Sequence, residues 1–141
     1  MIQRIQSIWL LLAAICAFVT YLLVLYIGKV TDGTEHQFVL GDHFILVAFI
    51  IGLGVLSLIC ISLFKNRKLQ FRLTIFAIIL TIGYLFVQYL MIERFKTDNA
   101  IVTGSYQVAA LLPILMVIFL IMAARGIWRD EKLVKSLNRL R

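Results

Sequence analysis

Residues Phe44–Phe64 read FILVAFIIGLGVLSLICISLF, a run without a single charged side chain. At about 1.5 Å of rise per residue, a helix of roughly 20 residues crosses the hydrocarbon core of a bilayer. Three more uncharged apolar runs lie on either side of it, at Ile8–Ile27, Leu73–Ile92 and Val108–Ala124. Water does not tolerate so much apolar surface on a short chain, so we predict four membrane-spanning segments.

The composition leaves room for one small bundle and for no soluble domain. The chain has 141 residues, of which 62% are hydrophobic and only 15% are charged. The spans must be helices, because unpaired backbone groups cannot face lipid and the runs lack the alternation of barrel strands. We therefore predict an all-α membrane protein, a four-transmembrane-helix bundle over residues 1–141. Its tail, residues 125–141, is predicted to form a C-terminal cytoplasmic amphipathic helix.

The net charge of +7 is distributed unevenly between the loops. The positive-inside rule places both termini and the Lys65–Arg72 turn in the cytoplasm, and Gly28–His43 and Glu93–Gln107 outside. Basic residues beside spans usually set topology and contact anionic lipid, so no nucleic-acid binding is predicted. Eleven of the fourteen basic residues share the predicted inner side: Arg4, Lys65, Arg67, Lys68, Arg72, Arg125, Arg129, Lys132, Lys135, Arg139 and Arg141.

The tail has the pattern of a basic amphipathic helix, with apolar residues three and four apart. Such a helix can lie on an anionic membrane surface or dock onto a cytoplasmic partner. Arg4 could pair with Asp130 or Glu131 and join the N-terminus to the tail as a cytoplasmic collar. The candidate partner or lipid contacts are Arg4, Asp130, Lys132, Lys135, Arg139 and Arg141.

Three features predict how the spans pack. The short Lys65–Arg72 turn makes the second and third spans antiparallel neighbours. Gly52, Gly54 and Ser57 favour the second span as the inner helix, because small side chains let helices approach closely in lipid. Pro113, the single proline, predicts a bend near the outer end of the fourth span.

Intramembrane chemistry usually requires ionisable residues within spans, and the four runs contain none. We therefore predict no enzyme activity and no cofactor. Gln88, Tyr84 and Tyr89 could line a polar pocket, although tyrosines at that depth are also typical of an interfacial belt. His36 and His43 could gather with nearby carboxylates around a metal, but their spacing matches no ligand signature and favours a solvated loop.

Both ends of the chain resemble one family. The opening Met1–Ala13, MIQRIQSIWLLLA, and the closing Asp130–Arg141, DEKLVKSLNRLR, are similar to the ends of a domain-of-unknown-function family of small four-span bacterial inner-membrane proteins. At position 138 the chain has Asn, where the resemblance to the family leads us to expect Asp. The resemblance implies fold and location but no activity and no catalytic residues.

The functional expectation follows from the absence of charge in the spans and the basic tail. We expect an accessory, assembly or scaffold component that contacts membrane lipids and other membrane proteins or a second copy of itself. The alternative is a small transporter or a lipid- or quinone-binding protein that uses the Gln88 region.

Overall fold

A computed structural model describes residues 2–139, and the side chains of residues 5–134. It contains four long helices and one small sheet. The elements in chain order are α1 (Ile2–Leu22), β1 (Val24–Lys29), β2 (Glu35–Val39), α2 (Phe44–Ser62), α3 (Arg67–Asp98), β3 (Thr103–Tyr106) and α4 (Leu112–Arg139), with 3-10 turns at Leu40–Asp42 and Val108–Leu111.

The four helices form a closed ring in which each helix packs against two neighbours. The second and third helices are antiparallel neighbours, as predicted, and α1 closes the ring against α4. The prediction that α2 is the inner helix is wrong, since all four helices share the core. On α2, Gly54 lies buried against the Phe18 ring, whereas Gly52 is exposed.

The interior of the ring holds apolar side chains together with a smaller set of polar ones, and large apolar side chains cover its outside. The inward face of α3 carries Gln70, Thr74, Thr81, Tyr84 and Gln88, all buried. Its outward face carries exposed apolar side chains, including Ile79 and Phe86, which are more than 60% exposed. All four helices are long and apolar enough to cross a membrane. This distribution confirms the predicted class, a mainly α membrane protein with four helices.

The bounds of the helices differ from the predicted spans. The first helix ends at Leu22, not Ile27, because Val24–Lys29 forms strand β1. A short apolar run of this kind cannot be told from the end of a helix by hydropathy alone. Helix α3 is longer than the predicted Leu73–Ile92 by six residues at each end. The connection between α2 and α3 is accordingly short, residues 63–66.

The two loops predicted at the outer side fold together into one antiparallel sheet with strand order β2-β1-β3. Strand β1 pairs with β2 across a turn that contains Gly33, whose φ of 79° suits glycine. Phe38 of β2 is buried, stacks on His43 and meets Phe95 of α3 edge-on. Most polar side chains of this segment, His36 among them, are exposed as predicted, but the backbone forms paired strands instead of a loop, and the sheet covers one end of the ring. We call this end the sheet end and the opposite end the turn end.

Helix α4 differs from the prediction at both of its ends. Pro113 lies in its first turn, after the 3-10 turn Val108–Leu111, instead of bending a formed helix. Proline is well tolerated there because the first backbone N–H groups of a helix lack partners inside it. At the other end α4 continues without a break to Arg139. The predicted tail helix is thus the last part of the fourth membrane helix.

Candidate functional site

At the turn end, a buried carboxylate joins three helices. Asp130 of α4 is only 5% exposed. The side-chain amide of Gln6 on α1 donates a hydrogen bond of 2.7 Å to its Oδ2. The same oxygen lies 3.7 Å from the guanidinium of Arg67, at the start of α3. A buried charge is costly unless it is paired and hydrogen-bonded, and this arrangement supplies both.

Gly126, one helical turn before Asp130, makes this contact possible. A Cβ atom built on Gly126 would lie 2.7 Å from Cγ of Gln6, closer than real Cβ atoms approach a neighbour. The absence of a side chain at Gly126 therefore lets Gln6 lie flat against α4 and reach Asp130. The four residues Gln6, Arg67, Gly126 and Asp130 are called the Asp130 cluster below.

A second amide ties the remaining helix into the turn end. Gln70 of α3 is buried and its Nε2 donates to the backbone carbonyl of Cys60 on α2 over 2.9 Å. A cavity of about 480 Å³ opens between the two amides, with Gln6, Gln70 and Arg67 among its lining residues. All four helices are therefore linked at this end by side-chain hydrogen bonds or ion pairs.

The structure brings together only part of the predicted contact set. Asp130 is paired with Gln6 and Arg67, two partners that sequence reasoning missed. Lys132 is exposed, and its ammonium lies 5.6 Å from the centre of the Trp128 ring. The side chains of Arg4, Lys135 and Arg139, and the whole of Arg141, lie outside the described residues, so the Arg4 collar stays a prediction.

The predicted polar pocket is divided between two faces of α3. Tyr84 and Gln88, four residues apart, point into the ring and are buried. Tyr89 is 54% exposed on the outer face. The grouping of all three is therefore wrong, because a helix turns about 100° per residue and separates Gln88 from Tyr89.

Two buried polar atoms at this place lack partners among the described residues. The Gln88 amide donates weakly, over 3.4 Å, to the carbonyl of Ala110. The Tyr84 hydroxyl and Oε1 of Gln88 have no hydrogen-bond partner within that same part of the chain. Unpaired buried polar atoms are rare, so this pair identifies a place where a further group could bind.

The other buried hydroxyls are satisfied within their own helices. Thr20, Ser57, Thr74 and Thr81 each donate to the carbonyl four residues earlier. Such bonds explain why a hydroxyl can lie in an apolar helix without a further role.

The sheet end carries a cluster that the sequence did not predict. Lys96 donates to the Glu93 carboxylate over 2.6 Å and to the Tyr106 hydroxyl over 3.2 Å. Its ammonium also lies about 5 Å from the ring centres of Tyr26 and Tyr106. The cluster fixes the end of α3 to strands β1 and β3.

The sheet end also carries an exposed ion pair and the two histidines. Lys29 and Glu35 form an exposed ion pair of 2.9 Å across β1 and β2, and the hydrogen bond that Lys29 donates to the Glu35 carboxylate raises the pKa of Lys29. His36 lies exposed on β2, whereas His43 stacks on Phe38. Among the described residues, no three His, Cys, Asp or Glu side chains are placed to hold a metal ion.

Comparison with known proteins gives one match. A family model described as "Domain of unknown function (DUF4293)" covers residues 2–140. The chain belongs to this family. The DUF4293 match confirms the resemblance seen at both ends of the chain, and the four membrane-length helices agree with it. No curated protein and no solved structure matches the chain.

Proposed function

We propose that this DUF4293 protein is a non-catalytic accessory, assembly or scaffold component of a larger complex in the bacterial inner membrane. The observation that carries the proposal is the projection of α4, which continues nine residues beyond the buried Asp130. At 1.5 Å per residue this segment, residues 131–139, is about 13 Å long. We call it the α4 tail.

The α4 tail has the composition of a docking surface. Its first residues include exposed Lys132, Leu133 and Val134, of which Leu133 is 49% and Val134 is 44% exposed. Exposed apolar side chains beside basic ones fit a partner helix or a second copy of this chain with an acidic rim. The hydroxyls of Thr20, Ser57, Thr74 and Thr81, which bond within their own helices, support a role without catalysis.

Site-specific crosslinking tests the proposal. A photo-reactive amino acid in place of Lys132 or Val134 should give one discrete adduct in cells, and the same partner should co-purify in mild detergent. The matched control carries the photo-reactive residue in place of Glu35, exposed at the sheet end, and should not give this adduct. With the probe in place of Lys132, Val134→Asn should abolish the adduct without lowering the unfolding temperature. Recovery of a lone protein with no adduct from either position would contradict the proposal.

The charge distribution supports a cytoplasmic location of the turn end. The segments that the sequence predicts on the inner side contain eleven of the fourteen basic residues but only two of the seven acidic ones. Under the positive-inside rule both termini would then lie in the cytoplasm and the sheet would face the outside.

A second candidate function is a small transporter or a lipid- or quinone-binding protein. The observation that favours it is the pair of unpartnered atoms on Tyr84 and Gln88. A quinone carbonyl could accept from the Tyr84 hydroxyl, and four helices enclose so little space that a dimer would be needed. Gln88→Leu should abolish stabilisation by added ubiquinone or menaquinone, while Tyr89→Phe on the outer face should not. Unchanged stabilisation of Gln88→Leu would dismiss this site.

A further inference from the structure

Two concavities flank α4 near the turn end and share a rim. The first, about 630 Å³, lies between α1 and α4 and is lined by Trp9, Arg125, Trp128 and Arg129 among others. The second, about 370 Å³, lies between α3 and α4 and is lined by apolar side chains that include Ile75 and Ile121. Arg125 and Trp128 line both. A cationic rim therefore lies between two concavities that are largely apolar.

The cations of this rim are available to a ligand. Arg125 and Arg129 are exposed and lie one helical turn apart, so their side chains share a face. Within residues 5–134, neither guanidinium forms an ion pair, because the nearby Asp130 is engaged by Gln6 and Arg67. Lys132 adds a third cation beside the Trp128 ring.

The depth of the rim matches a lipid headgroup. Arg125 is the first residue after the uncharged stretch Val108–Ala124, and Trp128 follows within one turn. Arginine and tryptophan at this position are typical of the boundary between hydrocarbon and headgroups. The groove with Ile75 and Ile121 continues from the rim toward the centre of the apolar stretch.

We propose that this rim and groove form a binding site for an anionic phospholipid. The guanidinium groups of Arg125 and Arg129 hold the phosphate through forked, charge-assisted hydrogen bonds. Trp128 packs against the glycerol region, and one acyl chain lies in the groove between α3 and α4. The cationic surroundings select a lipid with net negative charge over a zwitterionic one. The inference rests on the membrane location in the proposed function but not on any protein partner.

Native mass spectrometry of the detergent-solubilised full chain tests the site. Phosphatidylglycerol should bind at a defined stoichiometry, and phosphatidylcholine of the same chain length should bind at least about tenfold more weakly. Arg125→Gln with Arg129→Gln should lower phosphatidylglycerol binding about tenfold relative to the matched control Lys65→Gln with Lys68→Gln. The control removes the same charge from exposed lysines at the same end.

A second pair of variants tests the groove. Ile121→Trp fills the groove and should lower phosphatidylglycerol binding severalfold, whereas Val55→Trp, on the exposed face of α2, should not. Thermal unfolding of every variant serves as the check on folding. If the arginines hold the phosphate through forked hydrogen bonds, Arg125→Lys with Arg129→Lys should retain only part of the phosphatidylglycerol binding.

Three results would overturn the inference. The first is an equal loss of phosphatidylglycerol binding in Arg125→Gln with Arg129→Gln and in the Lys65→Gln with Lys68→Gln control, which indicates general charge attraction. The second is equal binding of the two lipids. The third is tight binding of soluble glycerol 3-phosphate that Ile121→Trp leaves unchanged, which indicates a free phosphate site. A protein partner could still be found in each of these cases, so the two proposals fail independently.

Discussion

Replacement of Gly126 by alanine should destabilise the protein through a side chain on another helix. The new Cβ would lie 2.7 Å from Cγ and 3.3 Å from Nε2 of Gln6. Gln6 cannot simply swing away, because its amide is held by Asp130 over 2.7 Å. The variant must either separate α1 from α4 or break this hydrogen bond.

The expected size of the effect follows from these two choices. Overpacking costs about 1–3 kcal/mol, and loss of a hydrogen bond to a charged group costs about 1.5–3 kcal/mol. Alanine is a better helix former than glycine by about 1 kcal/mol, which offsets part of either cost. With this offset included, we expect a net loss of about 1 kcal/mol in the free energy of unfolding.

The assay is reversible unfolding in mixed micelles, followed by circular dichroism as the fraction of a denaturing detergent is raised. Gly83→Ala on α3 is the matched control, because nothing lies within 4 Å of a Cβ at that helical glycine. This control should be neutral or stabilising by up to about 1 kcal/mol.

A double-mutant cycle locates the cause. In a Gln6→Ala background the obstructing Cγ is gone, so Gly126→Ala should become neutral or stabilising, like Gly83→Ala. The coupling energy between positions 6 and 126 should then be about 1–2 kcal/mol, within the range measured for contacting residues. Equal effects of Gly126→Ala in both backgrounds, or wild-type stability of the single variant, would refute the reasoning.

Three other predictions concern the rest of the molecule. Gly104→Ala should open the pairing of β1 with β3 and speed amide exchange in Thr103–Tyr106, and protection equal to wild type would contradict this. Tyr26→Phe should not rescue the variant, because the Cβ at position 104 would also lie 2.9 Å from the carbonyl oxygen of Ile27. Tyr84→Phe should leave stability unchanged or raise it by up to about 1 kcal/mol, since the hydroxyl has no partner among the described residues, and a clear loss in detergent unfolding would reveal a bound group. With the native cysteines replaced by serine, Asp32→Cys should react with a membrane-impermeant maleimide in intact cells and Asn66→Cys should react only after lysis; the reverse pattern would invert the topology.

The helices could be predicted from the sequence because the signal is long and local. A run such as Phe44–Phe64 has one physical solution in lipid, a helix that bonds its own backbone. The buried face of α3 is also periodic, with Thr74, Thr81 and Gln88 recurring at seven-residue intervals. Tyr89 and Gln88 lie at a similar depth, but one residue of helix rotation places Tyr89 on the exposed face and Gln88 on the buried one.

The sheet and the Asp130 cluster could not be predicted in the same way. Strand β1 begins within the first apolar run, so its Val24–Ile27 part has the hydropathy of a helix end. It is the central strand of the sheet and pairs both with β2 across the local turn and with β3, about 80 residues later. The contact between Gln6 and Asp130 joins residues 124 positions apart, and it needs both the closed ring and the missing side chain of Gly126. No local pattern carries that information.

The unbroken course of α4 has a mechanical consequence. Its 28 residues make a rod of about 42 Å, longer than the roughly 30 Å hydrocarbon core, with no joint between the buried part and the projecting part. A force applied to the free end would therefore pass along one continuous helix, through the Asp130 cluster, to its contacts with α1 and α3. The far end, which follows directly from the turn Val108–Leu111 beside the sheet, would move in response, so a load on one side of the bilayer would be felt as a displacement on the other.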